Sequence, residues 1–442
     1  MRKRKRSMLR LSEIFKMISD VNFKDSLQML DKCDVLFFCH DVDRGVYLDG
    51  KAYSPLLDSV REDFESRGLK CQTIARPWSV LVGNKGYSDP IAINLNFFLA
   101  LLQNKLFRIF LKDRINSNNR FVIKLYERIL KIASPRLIIS IGACDSMCLA
   151  SRNCKVFHVE LLHGIGYTFL PWMWDKKNVL NLPQGILSLD EVSAKTFSPL
   201  KKKGIDIKVI PHPFIKRFFG ELKNIHPEWI LNAGCDVNKR KQILFSFSWG
   251  YAGDHGEYED LAGILTNGLF PDVLKDVVKA TNNIVFWRFR FHPLQMKQER
   301  YRCLMDFMDE FVSDNDNSEW RVSSMMPFPA VSVLCDGNIS MCSMSCYDAA
   351  YMGVSSLMLC PTLQAGGVFG NYFEDLVAQG YVTKKMASFE VIRDWVDCVQ
   401  KKDPLLGNLL NEKMWEEAVG WMLCHSDEQK QSVQIGMTNS RD

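Results

Sequence analysis

The sequence predicts an α/β protein made of two Rossmann-like domains that face each other across a cleft. Short apolar stretches ending in polar loops alternate with helical segments, which is the pattern of parallel sheets joined by right-handed crossovers. This pattern occurs once before residue 213 and again after residue 242. A length of 442 residues is sufficient for two domains of ordinary size.

The first half contains six predicted strands. Each is rich in aliphatic or β-branched residues and stops at a glycine, a proline or a polar loop. The strands are predicted at residues 34–39, 70–75, 135–141, 155–160, 185–190 and 207–210. A helix is expected to open at Ser54 and to run to Phe64. We assign the first domain to residues 26–213, preceded by a basic extension over residues 1–25.

The second half repeats the alternation. Strands are predicted at residues 243–248, 283–291, 330–335 and 355–360, with helices at 261–269, 271–281, 389–400 and 412–424. The charged segment 214–241 is expected to link the domains, and the second domain covers 242–400. A C-terminal helix is placed within 401–425, and the polar tail 426–442 is expected to be disordered. Neither half carries a G-x-G-x-x-G fingerprint, which argues against a dinucleotide-dependent dehydrogenase.

Composition excludes several classes of function. Apolar residues make up 47% of the chain and charged residues 24%, as in soluble globular proteins. The net charge of +5 is matched by the five basic residues of the run 2–6, so the rest is near neutral and no nucleic-acid partner is expected. The run is suited to anionic lipid head groups at a membrane surface, or it is a solvated terminus; both interpretations stay open.

The 14 cysteines are scattered through apolar segments, and no secretion signal is recognised before them. We therefore expect free thiols in a reducing cytoplasm, and without metal-ligand spacing we expect no metal site. No apolar run reaches the length of a membrane span. The nearest candidate, residues 95–111, is interrupted by polar residues and predicts a core helix or, alternatively, a helix at a membrane surface.

The strongest local signal is an apolar strand that ends in Arg-Phe-His-Pro, followed about fifty residues later by small polar residues that open a helix. Both would lie at the carboxyl ends of strands, where open α/β folds bind ligands. Cations beside hydroxyls and a helix start predict a phosphate site; the alternative is a surface turn with a serine cap. The candidates are Arg288, Arg290, His292, Pro293, Ser340, Ser343, Ser345, Cys346 and Asp348.

A carboxylate for covalent chemistry is expected in the loop that follows the first strand of the second half. Asp254 lies there among glycines that allow close approach of a ligand, and it could attack or stabilise an oxocarbenium-like centre. The rival acids are Glu257, Glu259 and Asp260, and a flexible turn is the alternative interpretation.

The first half contributes polar residues at the ends of two strands. Glu160 is a candidate acid or base, or else it orders a loop through hydrogen bonds. His163 is a candidate binding residue. Asp41, Asp43 and Arg44 follow the first strand and form a predicted polar rim.

The Arg290–Pro293 segment, followed by Ser343-Met344-Ser345-Cys346, resembles bacterial GT-B glycosyltransferases that use cytidine-nucleotide donors. Residues 38–45 and 53–58 look most like the retaining β-Kdo transferases of surface polysaccharide biosynthesis, where Kdo is 3-deoxy-manno-octulosonic acid. Cys346 departs from the pattern, since a second hydroxyl is expected there.

The resemblance implies a GT-B fold and a CMP-sugar donor, CMP-Kdo, whose phosphate is held by the His-Pro and serine motifs. It also implies a carboxylate nucleophile, a role carried over to Asp254. The first domain would bind a glycan or lipid-linked glycan acceptor through Asp41, Asp43, Arg44 and His163. No cofactor is implied, and the setting is the cytoplasm, with a peripheral place at the inner membrane left open.

Two alternatives to a Kdo transferase stay open. One is a CDP-glycerol-type or other nucleotide-sugar transferase, and the second is a non-catalytic glycan-binding or scaffold protein with the same fold.

Overall fold

The computed structural model describes residues 23–111, 119–222, 240–248, 265–266, 268–297, 301–407 and 411–438. These residues form two α/β domains, each built on a six-stranded sheet. All pairings within both sheets are parallel. The predicted architecture of two Rossmann-like domains is therefore confirmed.

The first sheet contains all six strands predicted for the first half. They are β1 (Val35–Cys39), β2 (Cys71–Ala75), β3 (Leu137–Ser140), β4 (Phe157–Leu161), β5 (Gly185–Ser188) and β6 (Asp206–Val209). Their spatial order is β2-β1-β3-β4-β5-β6. The central strands β1, β3 and β4 are buried along their whole length, because helices cover both faces of the sheet.

The described residues of the first domain form six α-helices around this sheet. They are α1 (Leu57–Ser66), α2 (Asn94–Leu111), α3 (Arg120–Ala133), α4 (Asp145–Asn153), α5 (Glu191–Phe197) and α6 (Pro213–Arg217). The helix expected from Ser54 begins at Leu57, because the Ser54 hydroxyl accepts the backbone N–H of Leu57 at 3.2 Å and stands outside the helix. A short antiparallel hairpin, Val46–Leu48 with Lys51–Tyr53, precedes it.

The second sheet has the strand order of a dinucleotide-binding fold. Its strands are β7 (Lys241–Ser246), β8 (Val285–Arg290), β9 (Ser318–Glu319), β10 (Gly337–Ser340), β11 (Ser355–Met358) and β12 (Val382–Lys384). The order β9-β8-β7-β10-β11-β12 reverses direction between β7 and β10. Open α/β sheets bind ligands at such a switch point, beyond the carboxyl ends of the strands.

Short helices flank the second sheet. They are α7 (Val273–Ala280), α8 (Pro293–Lys297), α9 (Arg302–Ser313), α10 (Arg321–Met325), α11 (Phe328–Ser332), α12 (Ser345–Tyr351), α13 (Glu374–Ala378) and α14 (Phe389–Cys398). The core on one face of β8 is aromatic. Trp287, Phe289 and Phe291 are fully buried there, together with Phe245 and Phe270. The two arginines of β8 alternate onto its other face.

The strand predicted at residues 330–335 is wrong. That segment contains helix α11, with Pro329 in its first turn, where proline is favoured. Ala330, Val331, Ser332 and Cys335 are buried, and in such a short apolar run hydrophobic periodicity cannot distinguish a helix from a strand.

The true strand, β10, was not predicted because the sequence Gly-Asn-Ile-Ser has low β-propensity. Its buried Asn338 is satisfied on both sides. The amide oxygen accepts from Ser246 Oγ at 2.8 Å, and the amide nitrogen donates to Ser356 Oγ at 3.0 Å.

The helix predicted at 261–269 is wrong where the structure describes it. Leu265–Thr266 pairs antiparallel with Phe270–Pro271 and forms a short hairpin. Residues 261–264 and 267 lie outside the described part of the chain.

The C-terminal helix α15 (Glu412–Thr438) continues past the predicted end at residue 424 and into the segment expected to be disordered. It crosses back to the first domain, where Trp421 meets Phe157 with ring centroids 5.5 Å apart. Arg136 binds Asp427 at 3.2 Å, beyond the predicted end. Tertiary packing thus extends a helix through a polar sequence. Within the described residues, no helix has the length and apolar character needed to cross a membrane.

Candidate functional site

A cavity of about 490 Å³ lies between the carboxyl edges of the two sheets. Its first-domain wall comes from the loops after β1, β4, β5 and β6. Its second-domain wall comes from the loops after β7, β8 and β10, at the switch point of the second sheet. A concave site between two domains, at this edge of both sheets, is the place where α/β proteins bind substrates.

The structure brings eight of the predicted site residues to this one cavity. From the second domain they are Arg290, His292, Pro293, Ser343, Ser345 and Asp348, and from the first domain Asp43 and His163. The two motifs that are fifty residues apart in sequence therefore form one wall.

Arg290 is the last residue of β8 and is buried beside the cavity. Its Nη1 donates to the carbonyl of Phe291 and its Nη2 to that of Met326, both at 3.1 Å. Its Nε has no partner in the described part of the chain. Burial lowers the pKa of Arg290 to about 10, against the opposing effect of Asp348, so the side chain is a fixed cation at neutral pH.

Asp348 faces Arg290 from the first turn of α12. Burial raises its pKa to about 7, although the Arg290 charge acts in the opposite direction. Its Oδ1 has no hydrogen-bond partner among the described residues. The pair is thus a buried cation with an incompletely satisfied carboxyl group, both at the wall of the cavity.

Ser343 and Ser345 place two hydroxyls at the start of α12. The Ser345 hydroxyl donates to Ser343 Oγ at 2.9 Å, and the Ser345 backbone N–H approaches the same oxygen at 3.2 Å. Ser248 connects this turn to the end of β7, because its hydroxyl donates to the Cys342 carbonyl at 3.2 Å.

Ser246 and Ser248 also line the cavity and were missed by sequence reasoning. The available signal was a pair of serines at the carboxyl end of a buried apolar strand.

The His-Pro turn is held in two ways. The backbone of His292 donates to Gln295 Oε1 at 2.9 Å and accepts from the Gln295 N–H at 2.9 Å. Pro293 begins α8 and lies against Gly45 of the first domain, where an added Cβ would be 3.2 Å from the proline Cγ. The motif therefore stands at a contact between the two domains.

Three predicted donor-binding residues do not line the cavity. Arg288 lies further back along β8 and is held by Glu319 at 3.0 Å. Ser340 is fully buried and donates to the Ser246 carbonyl at 2.7 Å. Cys346 is fully buried, and burial raises its thiol pKa well above the usual range. These three residues support the wall and do not form its surface.

The predicted polar rim of the first domain is divided in the same way. Asp43 and His163 line the cavity. Asp41 instead accepts hydrogen bonds from Ser79 Oγ and from the backbone of Val80. Arg44 is 1% exposed, and its guanidinium donates to the carbonyls of Ala52 and Tyr87. The side chain is therefore inaccessible to a glycan acceptor in the cleft.

Glu160 forms hydrogen bonds that order a loop, as in the second of its two predicted roles. Its carboxylate is fully buried and accepts from Ser140 Oγ at 2.7 Å, from the Ala143 N–H at 2.9 Å and from the Gly142 N–H. Burial raises its pKa to about 7, and these hydrogen bonds act in the opposite direction. Glu160 does not line the cavity. Its carboxylate fixes the turn after β3.

The carboxylate predicted as nucleophile, Asp254, and its rivals Glu257, Glu259 and Asp260 lie outside the described residues. In the part of the chain that the structure describes, no cluster of His, Cys, Asp or Glu side chains could hold a metal ion.

Solved structures share this fold at low sequence identity. A histidine-to-asparagine variant of the wall teichoic acid polymerase TagF aligns with a TM-score of 0.52 at 10% identity, over 93% of this chain and 92% of that one. UDP-N-acetylglucosamine 2-epimerase from Rickettsia bellii aligns with a TM-score of 0.51 at 11% identity, over 91% of this chain and 100% of that one. The UDP-GlcNAc 2-epimerase from Methanocaldococcus jannaschii, in complex with UDP-GlcNAc and UDP, aligns with a TM-score of 0.50 at 10% identity, over 87% of this chain and 99% of that one.

These similarities confirm the GT-B fold, and at such identities they establish the fold alone. No protein-family model matches the sequence, and no curated protein is significantly similar to it.

Proposed function

We propose that this chain is a glycosyltransferase that binds a nucleotide-activated sugar in the cleft between its domains. The observation that carries the proposal is the convergence of Arg290, His292, Ser343 and Ser345 on one cavity, opposite Asp43 and His163. A fixed cation beside an imidazole and two hydroxyls is suited to a phosphate group. The same groups would stabilise the charge of a departing nucleotide.

The donor in this proposal is CMP-Kdo and the acceptor is a surface glycan. Its support is the resemblance of the His-Pro and serine motifs to those of cytidine-nucleotide transferases. The two motifs form one wall of the cavity, which supports a single ligand that contacts both. The setting is the cytoplasm, in keeping with the free state of every cysteine among the described residues.

The proposed chemistry is a double displacement. A carboxylate, assigned to Asp254, attacks the anomeric carbon and expels CMP. The hydroxyl of the acceptor glycan then attacks the same carbon and releases the carboxylate, while a base takes the proton of that hydroxyl. Asp43, His163 and His212 are titratable side chains of the first domain at the cavity. His212 Nδ1 accepts the Ile215 N–H at 3.3 Å, so we assign the proton transfer to Asp43 and His163 in place of Glu160.

A CDP-glycerol-type transferase is the second candidate, favoured by the fold similarity to a teichoic acid polymerase. Its reaction transfers a phosphoryl-linked group to an acceptor and needs a base but no carboxylate nucleophile. A covalent sugar adduct trapped on the protein would therefore exclude it.

Thermal-shift titration with CMP, CDP, UDP and GDP tests the proposal, because a ligand of the native state raises the melting temperature with its occupancy. We expect stabilisation by CMP, lost in His292→Ala and kept in His425→Ala, a histidine on α15 outside the cavity. Preference for CDP moves the assignment to the second candidate. Preference for UDP or GDP excludes Kdo transfer, and no response to any nucleotide favours a non-catalytic glycan-binding protein.

A further inference from the structure

The outer layer of the first domain contains two neighbouring helices, α2 and α3, that cover the same face of the sheet. Ala100 of α2 and Ile129 of α3 belong to one buried cluster with Phe38 of β1. The helices are joined where Asn104 Oδ1 accepts the Phe121 N–H at 3.0 Å. Their opposite faces therefore form one continuous outer surface.

The outer face of α2 is apolar. A stripe of leucines at every third or fourth position remains exposed, although leucines on such a face are usually covered. The stripe consists of Leu95, Leu99, Leu102 and Leu106, which are 40%, 44%, 41% and 43% exposed. At 100° per residue these positions fall within about 60° of arc and extend about 16 Å along the axis. They lie opposite the buried Ala100 and Asn104.

The four leucines of α2 form a contiguous row of exposed apolar side chains. Single exposed apolar residues are ordinary, but a contiguous row marks a surface that contacts something.

The outer face of α3 is basic. Arg120, Lys124, Arg128 and Lys131 are all exposed and recur at helical spacing, so they form a second stripe beside the leucines. None of the four forms an ion pair within the described chain. The acid between them, Glu127, is half-buried and accepts from Asn153 at 2.7 Å.

We propose that this face, the leucine stripe of α2 with the basic stripe of α3, docks on a membrane surface that contains anionic lipid. The leucines would enter the boundary between head groups and acyl chains, and the cations would meet lipid phosphates. The apolar stripe thus matches the acyl-chain region of a membrane surface, and the basic stripe matches its phosphate groups.

The course of the chain supports the same occupant. The described residues begin at Phe23, whose ring lies 5.3 Å from that of Phe98 on α2. In the sequence, sixteen residues separate Phe23 from the basic run of residues 2–6. A symmetric dimer through the same face is disfavoured, since it would bring two basic stripes to one interface, and the described residues of this face offer no acidic stripe to pair with them.

The inference is independent of the proposed donor and reaction. It is tested on the full chain by flotation with vesicles of phosphatidylcholine alone and with added phosphatidylglycerol. Two variants remove one stripe each, namely Leu99→Gln with Leu102→Gln, and Lys124→Gln with Arg128→Gln and Lys131→Gln. The matched controls are Val322→Gln with Met325→Gln, and Lys176→Gln with Lys201→Gln and Lys202→Gln, all at exposed positions elsewhere.

We expect binding to the anionic vesicles only, reduced on the order of tenfold or more by either stripe variant and unchanged by the controls. Circular dichroism of each variant establishes that it is folded. No vesicle binding by the full chain overturns the proposal. Vesicle binding that survives both stripe variants also overturns the proposal. The same holds if the leucine variant keeps its vesicle binding and only changes from a dimer to a monomer in sedimentation.

Discussion

Gly166 of the first domain lies against the ring of Tyr347 in the second, so closely that a Cβ at position 166 would come within 2.7 Å of the ring. The tyrosine cannot easily move away, because its hydroxyl donates to Asp375 at 2.9 Å. Gly166 also has a φ of +70°, which side chains rarely adopt. This contact sets how closely the domains approach beside the candidate site.

Gly166→Ala is therefore expected to weaken nucleotide binding as well as folding. Gly204→Ala is the matched control, since Gly204 has a φ of +75° but open space around it. The left-handed conformation alone costs about 1–2 kcal/mol in either variant. Urea denaturation should show a larger loss for Gly166→Ala, and CMP titration should show weaker binding in that variant only. Equal effects of the two substitutions would mean that the interdomain contact has no role in binding.

Arg290→Lys should lower the affinity for CMP by about 10–100-fold, the worth of a hydrogen bond to a charged group. Lysine keeps the charge but has one ammonium nitrogen in place of the planar guanidinium, whose two Nη atoms donate to separate carbonyls and orient the arginine. Arg288→Lys, on the same strand but engaged by Glu319, should change the free energy of unfolding and leave CMP affinity intact. Isothermal titration calorimetry measures both. A comparable loss of affinity in the two variants would contradict the assignment.

Asp348→Asn should change how stability depends on pH. The pKa of Asp348 is raised from 3.8 to about 7, so its ionised form is disfavoured in the folded state. Its contribution to stability is present at low pH and is lost as the pH rises through that window. The asparagine variant lacks this loss. The melting temperature of the variant minus that of the parent should therefore increase as the pH is raised from 3.8 to about 7. A constant difference across the window would show that Asp348 is not perturbed.

Glu160→Gln should destabilise the fold by about 1–3 kcal/mol, because an amide NH₂ would face N–H and O–H donors where a carboxylate now accepts. Its turnover per folded molecule should equal that of the parent. Asp43→Asn is the complementary variant, for which we expect normal stability and reduced turnover. Assays of sugar transfer alongside denaturation curves separate the two roles. Loss of turnover in a fully folded Glu160→Gln would restore the catalytic interpretation.

The sequence was sufficient to predict the six strands of the first sheet, three strands of the second sheet (β7, β8 and β11) and the pairing of the two donor motifs, because buried strands and the residues at their ends leave local signals. Strand periodicity places Arg288 and Arg290 on one face, and closeness to the His-Pro turn favours Arg290 as the phosphate partner. Only the three-dimensional arrangement shows that Arg290, and not Arg288, reaches the cleft. The same limit applies to Glu160, whose partners in the turn after β3 come from a different strand.

Other features had no local signal. Strand β10 has low β-propensity but pairs with β7 and β11 through its backbone, and its Asn338 side chain bonds to Ser246 and Ser356. Past residue 424, α15 is docked on the first domain, where His425 stacks on Phe157 and Asp427 binds Arg136. Both depend on contacts between residues that are far apart in sequence.

A crystal structure of the chain with bound CMP is the most direct test of the proposed nucleotide site. We expect the phosphate in the interdomain cavity, within hydrogen-bonding distance of the Ser343 and Ser345 hydroxyls and beside His292 and Arg290. A nucleotide bound elsewhere, or held in the cavity with its phosphate away from these four side chains, would contradict it.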